Sequence, residues 1–169
     1  VKAVVNLGGN LVRSVPDRLR TEPAWAGLRL TVNVATKLNR SHLVHGEVSY
    51  VLPCLSRIEI HRTPLGEQAV SMEDSTGCMH GSKGVTEPAS EKARPEQYIV
   101  AGIAKATLGE RSTVDWDAWR DDYSLVRDEI AKTYPDIFHD FNARMWQPGG
   151  FHRPLAARHR QWKTQSGKA

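Results

Sequence analysis

Six side chains with hydrogen-bonding groups follow one another closely between residues 36 and 42. Two apolar runs, residues 30–35 and 50–55, flank this polar stretch. Short apolar runs of this kind are typical of strands buried in a parallel sheet. The stretch is therefore expected at the carboxyl end of a strand, where open α/β sheets bind their ligands. Its members are Thr36, Lys37, Asn39, Arg40, Ser41 and His42.

A second polar turn, made of Gly8, Gly9 and Asn10, follows an apolar run at residues 1–7. Glycine permits positive φ and lets a ligand approach the backbone closely. The turn lacks the complete G-x-G-x-x-G spacing, so by itself it is more typical of a tight strand-to-helix connection than of a phosphate loop. Two polar loops that open at the same sheet edge nevertheless predict half of a nucleotide site.

The order of elements predicts an α/β fold with a parallel, Rossmann-like βαβαβ core, followed by a polar loop region and C-terminal helices. Strands are predicted at residues 1–7, 30–35 and 50–53, with a short helix at 41–49. Later helices are predicted at 96–108, 115–134 and 136–145. Ser, Gly and short polar residues at 71–90 predict either an ordered functional loop or a disordered linker. The predicted organisation is a core at 1–55, a polar loop region at 56–95, a helical region of the same domain at 96–147, and a basic tail at 148–169.

Other chemistry-bearing residues have simpler interpretations. His42 and His45 lie three residues apart without a matching carboxylate or cysteine, so capping or packing is favoured over metal binding. Cys54 is predicted as a small buried hydrophobe, whereas Cys78 lies in the polar loop, where a reactive thiol is the alternative. The run with Glu73, Asp74, Ser75 and His80 contains hydrolase-type groups but no nucleophile elbow, which favours a loop that bonds to its own backbone.

Composition narrows the functional class. The formal net charge of +4 over 169 residues comes mostly from the C-terminal tail, which favours an anionic ligand over a nucleic-acid groove. The two cysteines form no CxxC motif, and no apolar run approaches the roughly 20 residues that a membrane span needs. The chain starts within an apolar run and stops on polar, turn-like residues, which predicts a segment of a longer polypeptide, expected in the cytoplasm.

Five ordered blocks carry a family resemblance over essentially the whole chain. They are LGGN at 7–10 with Pro16 and Asp17, TKLNRSHLVHG at 36–46, YVLPCLSRIE at 50–59, SMEDSTGCMHGSKG at 71–84, and PGGFHRPLAARHRQWKTQSGKA at 148–169. Together they resemble the catalytic alpha subunit of formate dehydrogenase-like molybdopterin oxidoreductases, in the YdeP-like branch. The resemblance implies a bis(molybdopterin guanine dinucleotide) molybdenum cofactor and redox chemistry on a small substrate.

The resemblance also implies where the cofactor binds, because the matching α/β domain embraces a guanine dinucleotide arm at its strand ends. The implied cofactor-binding residues are Gly8, Gly9 and Asn10 in the first loop, Thr36, Lys37, Asn39, Ser41 and His42 in the second, and Glu73 and Ser75 in the loop after the third strand. No catalytic residue and no metal ligand is assigned within this chain.

Segments that the family carries elsewhere are missing here, namely the N-terminal cysteines for a 4Fe-4S cluster, the molybdenum-ligand segment and the C-terminal cofactor domain. The chain is therefore expected to be the central part of a catalytic subunit and to be inactive alone. Its implied partners are the rest of that subunit, a small-molecule substrate and an electron-transfer partner, with any iron-sulfur cluster bound outside this chain. A non-catalytic nucleotide-binding or docking module of the same fold is the alternative.

Overall fold

The computed structural model describes all 169 residues. Contacts divide them into two compact units, each of which joins two stretches of chain. The first unit consists of Val1–Glu59 and Thr86–Ser112, and the second of Ile60–Val85 and Thr113–Ala169. The domain boundaries expected from the sequence, after residues 55, 95 and 147, stay a prediction. None of the helices is both long and apolar enough to cross a lipid bilayer.

The first unit contains a three-stranded parallel sheet, which confirms the predicted α/β core. The strand order is β1-β2-β3, and Val5, Val32 and Tyr50 lie side by side in register. Parallel neighbours need crossover connections, and short helices supply them here. The elements are β1 (Ala3–Leu7), α1 (Leu11–Ser14), α2 (Arg18–Ala26), β2 (Leu30–Ala35), α3 (Arg40–Leu43), β3 (Val48–Pro53) and α4 (Glu96–Leu108), followed by a 3-10 turn at Gly109–Arg111.

Alternation of side chains along β2 decides how this sheet is packed. Thr31 and Asn33 point to one face and Val34 to the other, and all three are fully buried. Asn33 Oδ1 accepts a hydrogen bond of 3.2 Å from the Nδ2 group of Asn6, its register partner on β1. The apolar cluster of this unit is formed by Val12, Trp25 and Leu28, with Val4 and Val44 packed against it. Strand β2 is therefore buried on both faces of the sheet.

The helix predicted at 41–49 is wrong in length, because α3 ends at Leu43. Val44 is already extended, and the next residues return to the sheet. The Glu47 amide donates to the Leu28 carbonyl at 2.8 Å, and the Val48 amide to the Arg29 carbonyl at 3.1 Å. These backbone bonds start β3 two residues earlier than the apolar run alone predicts.

The second unit contains a four-stranded antiparallel sheet, so the loop predicted at residues 71–90 is wrong over much of its length. The strands are β4 (His61–Thr63), β5 (Gly66–Glu73), β6 (Cys78–Lys83) and β7 (Phe151–His152), in the order β4-β5-β6-β7. Met72 pairs with His80 in the ladder between β5 and β6. Backbone hydrogen bonds hold this hairpin, and they need no apolar side chains. The polar composition of the segment therefore gave no signal for strands β5 and β6.

Each of the two long helices predicted for the second unit is divided. The stretch 115–134 forms α5 (Trp116–Asp121) and α6 (Tyr123–Thr133), because Asp122 is extended and its carboxylate accepts a hydrogen bond from the Ser124 amide at 2.9 Å. The stretch 136–145 forms α7 (Pro135–Phe138) and α8 (Phe141–Arg144), separated by Asp140 at φ 50°. The hydrophobic core of this unit consists of Phe141, Met145 and Phe151. The tail contains a 3-10 turn at Ala156–His159.

Candidate nucleotide site at the carboxyl edge of the parallel sheet

The first loop of the candidate site follows β1 directly. Gly8 and Gly9 have φ angles of 66° and 72°, which glycine adopts readily and other residues rarely do. The Gly8 amide donates to the Val34 carbonyl at 2.8 Å, which fixes the loop to β2. A Cβ atom on Gly9 would meet no atom within 4 Å, so the backbone there faces open space. The amides of Gly9 and Asn10 donate no hydrogen bond within the chain and are free for a ligand.

The second loop ends in a capped helix. Asn39 is the N-cap of α3, and its Oδ1 atom accepts a hydrogen bond from the Ser41 amide at 2.9 Å. The Asn39 amide in turn donates to His42 Nδ1 at 3.0 Å, which completes a capping box. The capping role predicted for His42 is thereby confirmed. His42 Nε2 is buried and has no hydrogen-bond partner within the chain.

Side chains of the second loop hold the first loop in place. Asn39 Nδ2 donates to the Gly9 carbonyl at 2.8 Å, and Ser41 Oγ donates to Asn10 Oδ1 at 3.2 Å. The fully buried Ser41 hydroxyl also accepts a hydrogen bond of 3.1 Å from the Val12 amide. The structure therefore brings Asn10, Asn39 and Ser41 together, as expected, but uses their side chains to fasten the two loops.

Thr36 and Lys37 are the members of the second loop whose polar groups stay available. Both are exposed, and neither forms a hydrogen bond or ion pair within the chain. Arg40, by contrast, is paired with Glu22 through hydrogen bonds of 3.1 and 2.8 Å. These hydrogen bonds from the Arg40 guanidinium hold the pKa of the Glu22 carboxyl below its usual value. Lys37 thus supplies the unpaired positive charge among the predicted residues of this edge.

A third segment, which the sequence did not indicate, also lies at this edge. Cys54 follows β3, and the Leu55 amide donates to the Arg94 carbonyl at 3.0 Å, which brings the start of α4 alongside. Glu96 Oε1 lies 3.6 Å from the position that a Cβ atom on Gly8 would occupy, and 4.0 Å from Cys54 Sγ. Glu96 is separated from Cys54 by 42 residues. An acidic residue in a first helical turn is common, so its sequence position gave no signal.

Cys54 is buried, as predicted, and its thiol lies beside this carboxylate. Burial, and then the negative charges of Glu96 and Glu59, raise the pKa of the Cys54 thiol from 9.0 to about 11. The thiol therefore stays protonated at neutral pH and is a poor nucleophile there.

This shift predicts a loss of stability in alkali. The unfolded thiol releases its proton near pH 9 and the folded thiol near pH 11, so the folded state is stabilised below that window and loses this stabilisation as pH rises through it. We expect the contribution to fall by about 2 kcal/mol across the window. The measurement is urea unfolding of the wild type and Cys54→Ala at both ends of it. Equal pH dependence in the two proteins would contradict this account.

Glu73 and Ser75 belong to the second unit, whereas the eight other predicted residues belong to the first. Glu73 Oε1 accepts hydrogen bonds of 3.1 and 2.9 Å from Arg153, and Ser75 is exposed in the turn between β5 and β6. Within that turn, Asp74 Oδ1 accepts from Thr76 and from the Cys78 amide. These bonds, those from Thr76 first, lower the pKa of the Asp74 carboxyl. A role for Glu73 and Ser75 near a cofactor stays a prediction.

The hydrolase-type groups of this turn form no catalytic pair. The turn bonds to its own backbone, as favoured from the sequence, and Ser75 shares no hydrogen bond with His80. Cys78 is buried, and its Sγ atom lies 2.6 Å from the Gly149 carbonyl oxygen, to which the thiol donates. Its environment is therefore that of a packed, hydrogen-bonded thiol.

Comparison with known proteins gives relatives whose sequences align with essentially the whole chain. No family model matches it. It is 45% identical over 168 residues to Protein YdeP of Escherichia coli, and equally similar to Protein YdeP of Shigella flexneri. It is 39% identical over 170 residues to an uncharacterized oxidoreductase of Mycobacterium tuberculosis. These matches cover 99% to 100% of the chain but 22% of each relative, so the chain spans about a fifth of the length of the curated relatives it matches.

Proposed function

We propose that this chain is the central portion of a molybdopterin-dependent, formate dehydrogenase-like oxidoreductase. In this proposal its first unit holds a guanine dinucleotide arm of a bis(molybdopterin guanine dinucleotide) molybdenum cofactor, for redox chemistry on a small substrate. The observation that carries the proposal is the pair of fastened loops with free amides at Gly9 and Asn10. The mycobacterial relative, which is named an oxidoreductase and is much longer than the chain, supports it.

The groups at this edge fit a pyrophosphate. The Gly9 and Asn10 amides, the Thr36 hydroxyl and the Lys37 ammonium are hydrogen-bond donors without partners in the chain. Successive amides in a turn with positive φ form a concave surface that favours anions. Charge-assisted hydrogen bonds from an ammonium group to phosphate oxygens are among the stronger ones in proteins. The open space at Gly9 allows the close approach that such bonds need.

The roles of the chain and of the cofactor are separate in this proposal. The molybdenum and its pterins supply the electron transfer, while Thr36, Lys37 and the glycine loop bind and orient the dinucleotide. The chain brings together no three His, Cys, Asp or Glu side chains that could hold a metal ion. Molybdenum ligands and any 4Fe-4S cluster are accordingly proposed to lie on other segments of the subunit, together with the contacts to an electron-transfer partner.

A non-catalytic nucleotide-binding module is the second candidate function. The two fastened loops lie entirely within the first unit and bond to each other, which supports a nucleotide site built from this chain alone. This candidate requires that the isolated chain bind GMP or GDP, and titration calorimetry measures that directly. It also requires that a full-length protein containing the chain carry no molybdenum.

Lys37 provides the first test of the proposed phosphate contact. In a full-length protein containing this chain, Lys37→Ala is expected to lower retained molybdenum by about tenfold, because one charge-assisted hydrogen bond is lost. The measurement is molybdenum per polypeptide by mass spectrometry after gel filtration. Lys92→Ala is the matched control, since Lys92 is an exposed lysine of the same unit without an ion pair. Unchanged molybdenum in Lys37→Ala would remove Lys37 from the site.

A further inference from the structure

The second unit carries a groove whose charge is opposite to that of the chain as a whole. The groove lies between α5, α6 and α8 and has a volume of about 640 Å³. This acidic groove is lined chiefly by Asp115, Trp119, Leu125, Asp128 and Asp140. The chain bears a formal net charge of +4, so a concentration of carboxylates at one groove does not follow from its average composition.

Three exposed carboxylates of the acidic groove form no ion pair within the chain. The Asp140 side chain has no hydrogen bond either. Asp128 Oδ1 accepts a hydrogen bond of 2.7 Å from Asn142 Nδ2. Asp115 Oδ1 accepts only the backbone amide of Ala118, at 3.0 Å, because Asp115 is the N-cap of α5. Each of the three therefore presents a carboxylate oxygen that is open to a cation.

The one cation of the lining does not offset these charges. The Lys132 ammonium lies 2.7 Å from Glu129 Oε1, and this pair is neutral by itself. A cleft that carries charge of one sign concentrates ligands of the opposite sign, so the groove attracts cations and repels phosphates. A bare metal ion does not fit, because the chain brings together no three His, Cys, Asp or Glu side chains that could hold one.

Apolar surface lies between the charges of the groove. Leu125 is 37% exposed, and Trp119 is half-buried. The indole N–H of Trp119 donates no hydrogen bond within the chain, although such a group usually has a partner once it is covered. A fitting ligand thus supplies a cation, an apolar group and a hydrogen-bond acceptor. A peptide supplies all three, through Lys or Arg, a neighbouring apolar side chain and backbone carbonyl groups, whereas a polyamine supplies no acceptor.

We propose that the acidic groove docks a basic segment of a partner protein, with Lys or Arg side chains at Asp128 and Asp140 and an apolar side chain against Leu125 and Trp119. Charge complementarity carries the assignment, and an aromatic residue such as Trp119 is the type that contributes most to affinity at interfaces. The groove lies wholly within the second unit, so the inference does not depend on the proposed nucleotide site of the first.

Labelled peptides provide the first test, with a full-length protein that contains this chain. The probe is a short peptide of alternating Leu and Lys, and fluorescence anisotropy measures its binding. One control peptide replaces every Lys with Glu, and another replaces every Leu with Ser. Each control is expected to bind about tenfold more weakly, and affinity for the probe is expected to fall as salt is added. Equal binding of the three peptides would overturn the proposal.

Substitution of two aspartates then locates the probe. Asp128→Asn with Asp140→Asn is expected to weaken its binding about fivefold, because two ion pairs are lost. Asparagine keeps the Oδ1 acceptor at position 128 and tolerates the positive φ at position 140. Asp136→Asn is the matched control, since Asp136 is an exposed aspartate of the same unit that does not line the groove. Unchanged affinity in the double variant would overturn the assignment to this groove.

Leu125→Ala tests the apolar contact separately from the charges. Loss of the buried contact is expected to weaken probe binding about tenfold. Leu65→Ala is the control, because Leu65 is an exposed leucine of the same unit that does not line the groove. Equal affinity in Leu125→Ala and in the wild type would contradict the apolar contact and overturn the choice of a peptide.

Two further outcomes would overturn the choice of occupant. If spermine displaces the labelled probe as effectively as the unlabelled peptide does, the groove is a polyamine site. If the probe binds the isolated chain but not the full-length protein, another segment of the longer polypeptide occupies the groove. Binding to both proteins, with the losses expected for the variants, supports docking of a partner.

Discussion

Gly46→Ala is expected to destabilise the first unit by about 3 kcal/mol, as overpacking against backbone atoms does in other cores. Gly46 is buried, and a Cβ atom there would overlap the Leu28 carbonyl oxygen. That oxygen also accepts the Glu47 amide at 2.8 Å, which starts β3. The new methyl group must displace backbone, so the pairing between β2 and β3 is weakened. Hydrogen exchange of the β2 amides, followed by mass spectrometry, measures the effect locally.

Gly102→Ala is the matched control for this prediction. Gly102 lies inside α4, and a Cβ atom there would meet nothing within 4 Å. Alanine is the better helix former, so this substitution is expected to stabilise the unit by roughly 0.5 to 1 kcal/mol. Unchanged hydrogen exchange of the β2 amides in Gly46→Ala would contradict the close approach of residue 46 to the Leu28 carbonyl group.

The double replacement Asn39→Ala with His42→Ala is expected to reduce cofactor retention more than the loss of Lys37 does. It removes the capping box of α3 and the 2.8 Å hydrogen bond from Asn39 to the Gly9 carbonyl, so the second loop no longer holds the first. A lost cap costs about 1 kcal/mol, and the loop bond adds a similar amount. A displaced loop also loses a hydrogen bond to the ligand, which adds about 1 kcal/mol more. In a full-length protein containing this chain, retained molybdenum should therefore fall by roughly two orders of magnitude.

His45→Ala is the control for the double replacement. His45 lies three residues from His42 and is exposed, and its ring bonds only the adjacent Gly46 carbonyl, at 2.7 Å. Its removal should leave the molybdenum content unchanged. Equal molybdenum content in the double variant and the wild type would exclude the fastened loops from cofactor binding.

The sequence predicted some elements well because local chemistry fixes them. The β-branched run at Leu30–Ala35 is β2 with the expected bounds. Helix α4 begins after Pro95 and ends before Gly109, as those two residues indicate. The breaks at Asp122 and Asp140 escaped prediction, because an aspartate inside an amphipathic pattern is equally compatible with continuation of the helix. In the structure Asp122 caps α6 instead.

The eight predicted site residues of the first unit came together at one sheet edge, whereas Glu73 and Ser75 belong to the second unit, and the sequence did not assign the roles of any of them. Asn39 and Ser41 satisfy their hydrogen-bonding groups equally well with a ligand or with a neighbouring loop, and composition does not distinguish the two. The structure pairs them with the first loop. Glu96 reaches the same edge because the segment at Arg94 runs beside the end of β3, a long-range contact that no local pattern encodes.

Chemical analysis of a purified full-length protein containing this chain tests the central proposal most directly. The protein is produced in cells supplied with molybdate, its metal is quantified by mass spectrometry, and its nucleotides are released by acid and separated. The proposal predicts molybdenum and GMP in the ratio that a bis(molybdopterin guanine dinucleotide) cofactor requires. A correctly folded protein that retains neither molybdenum nor GMP would contradict the proposal. Bound guanine nucleotide without molybdenum would favour the non-catalytic module.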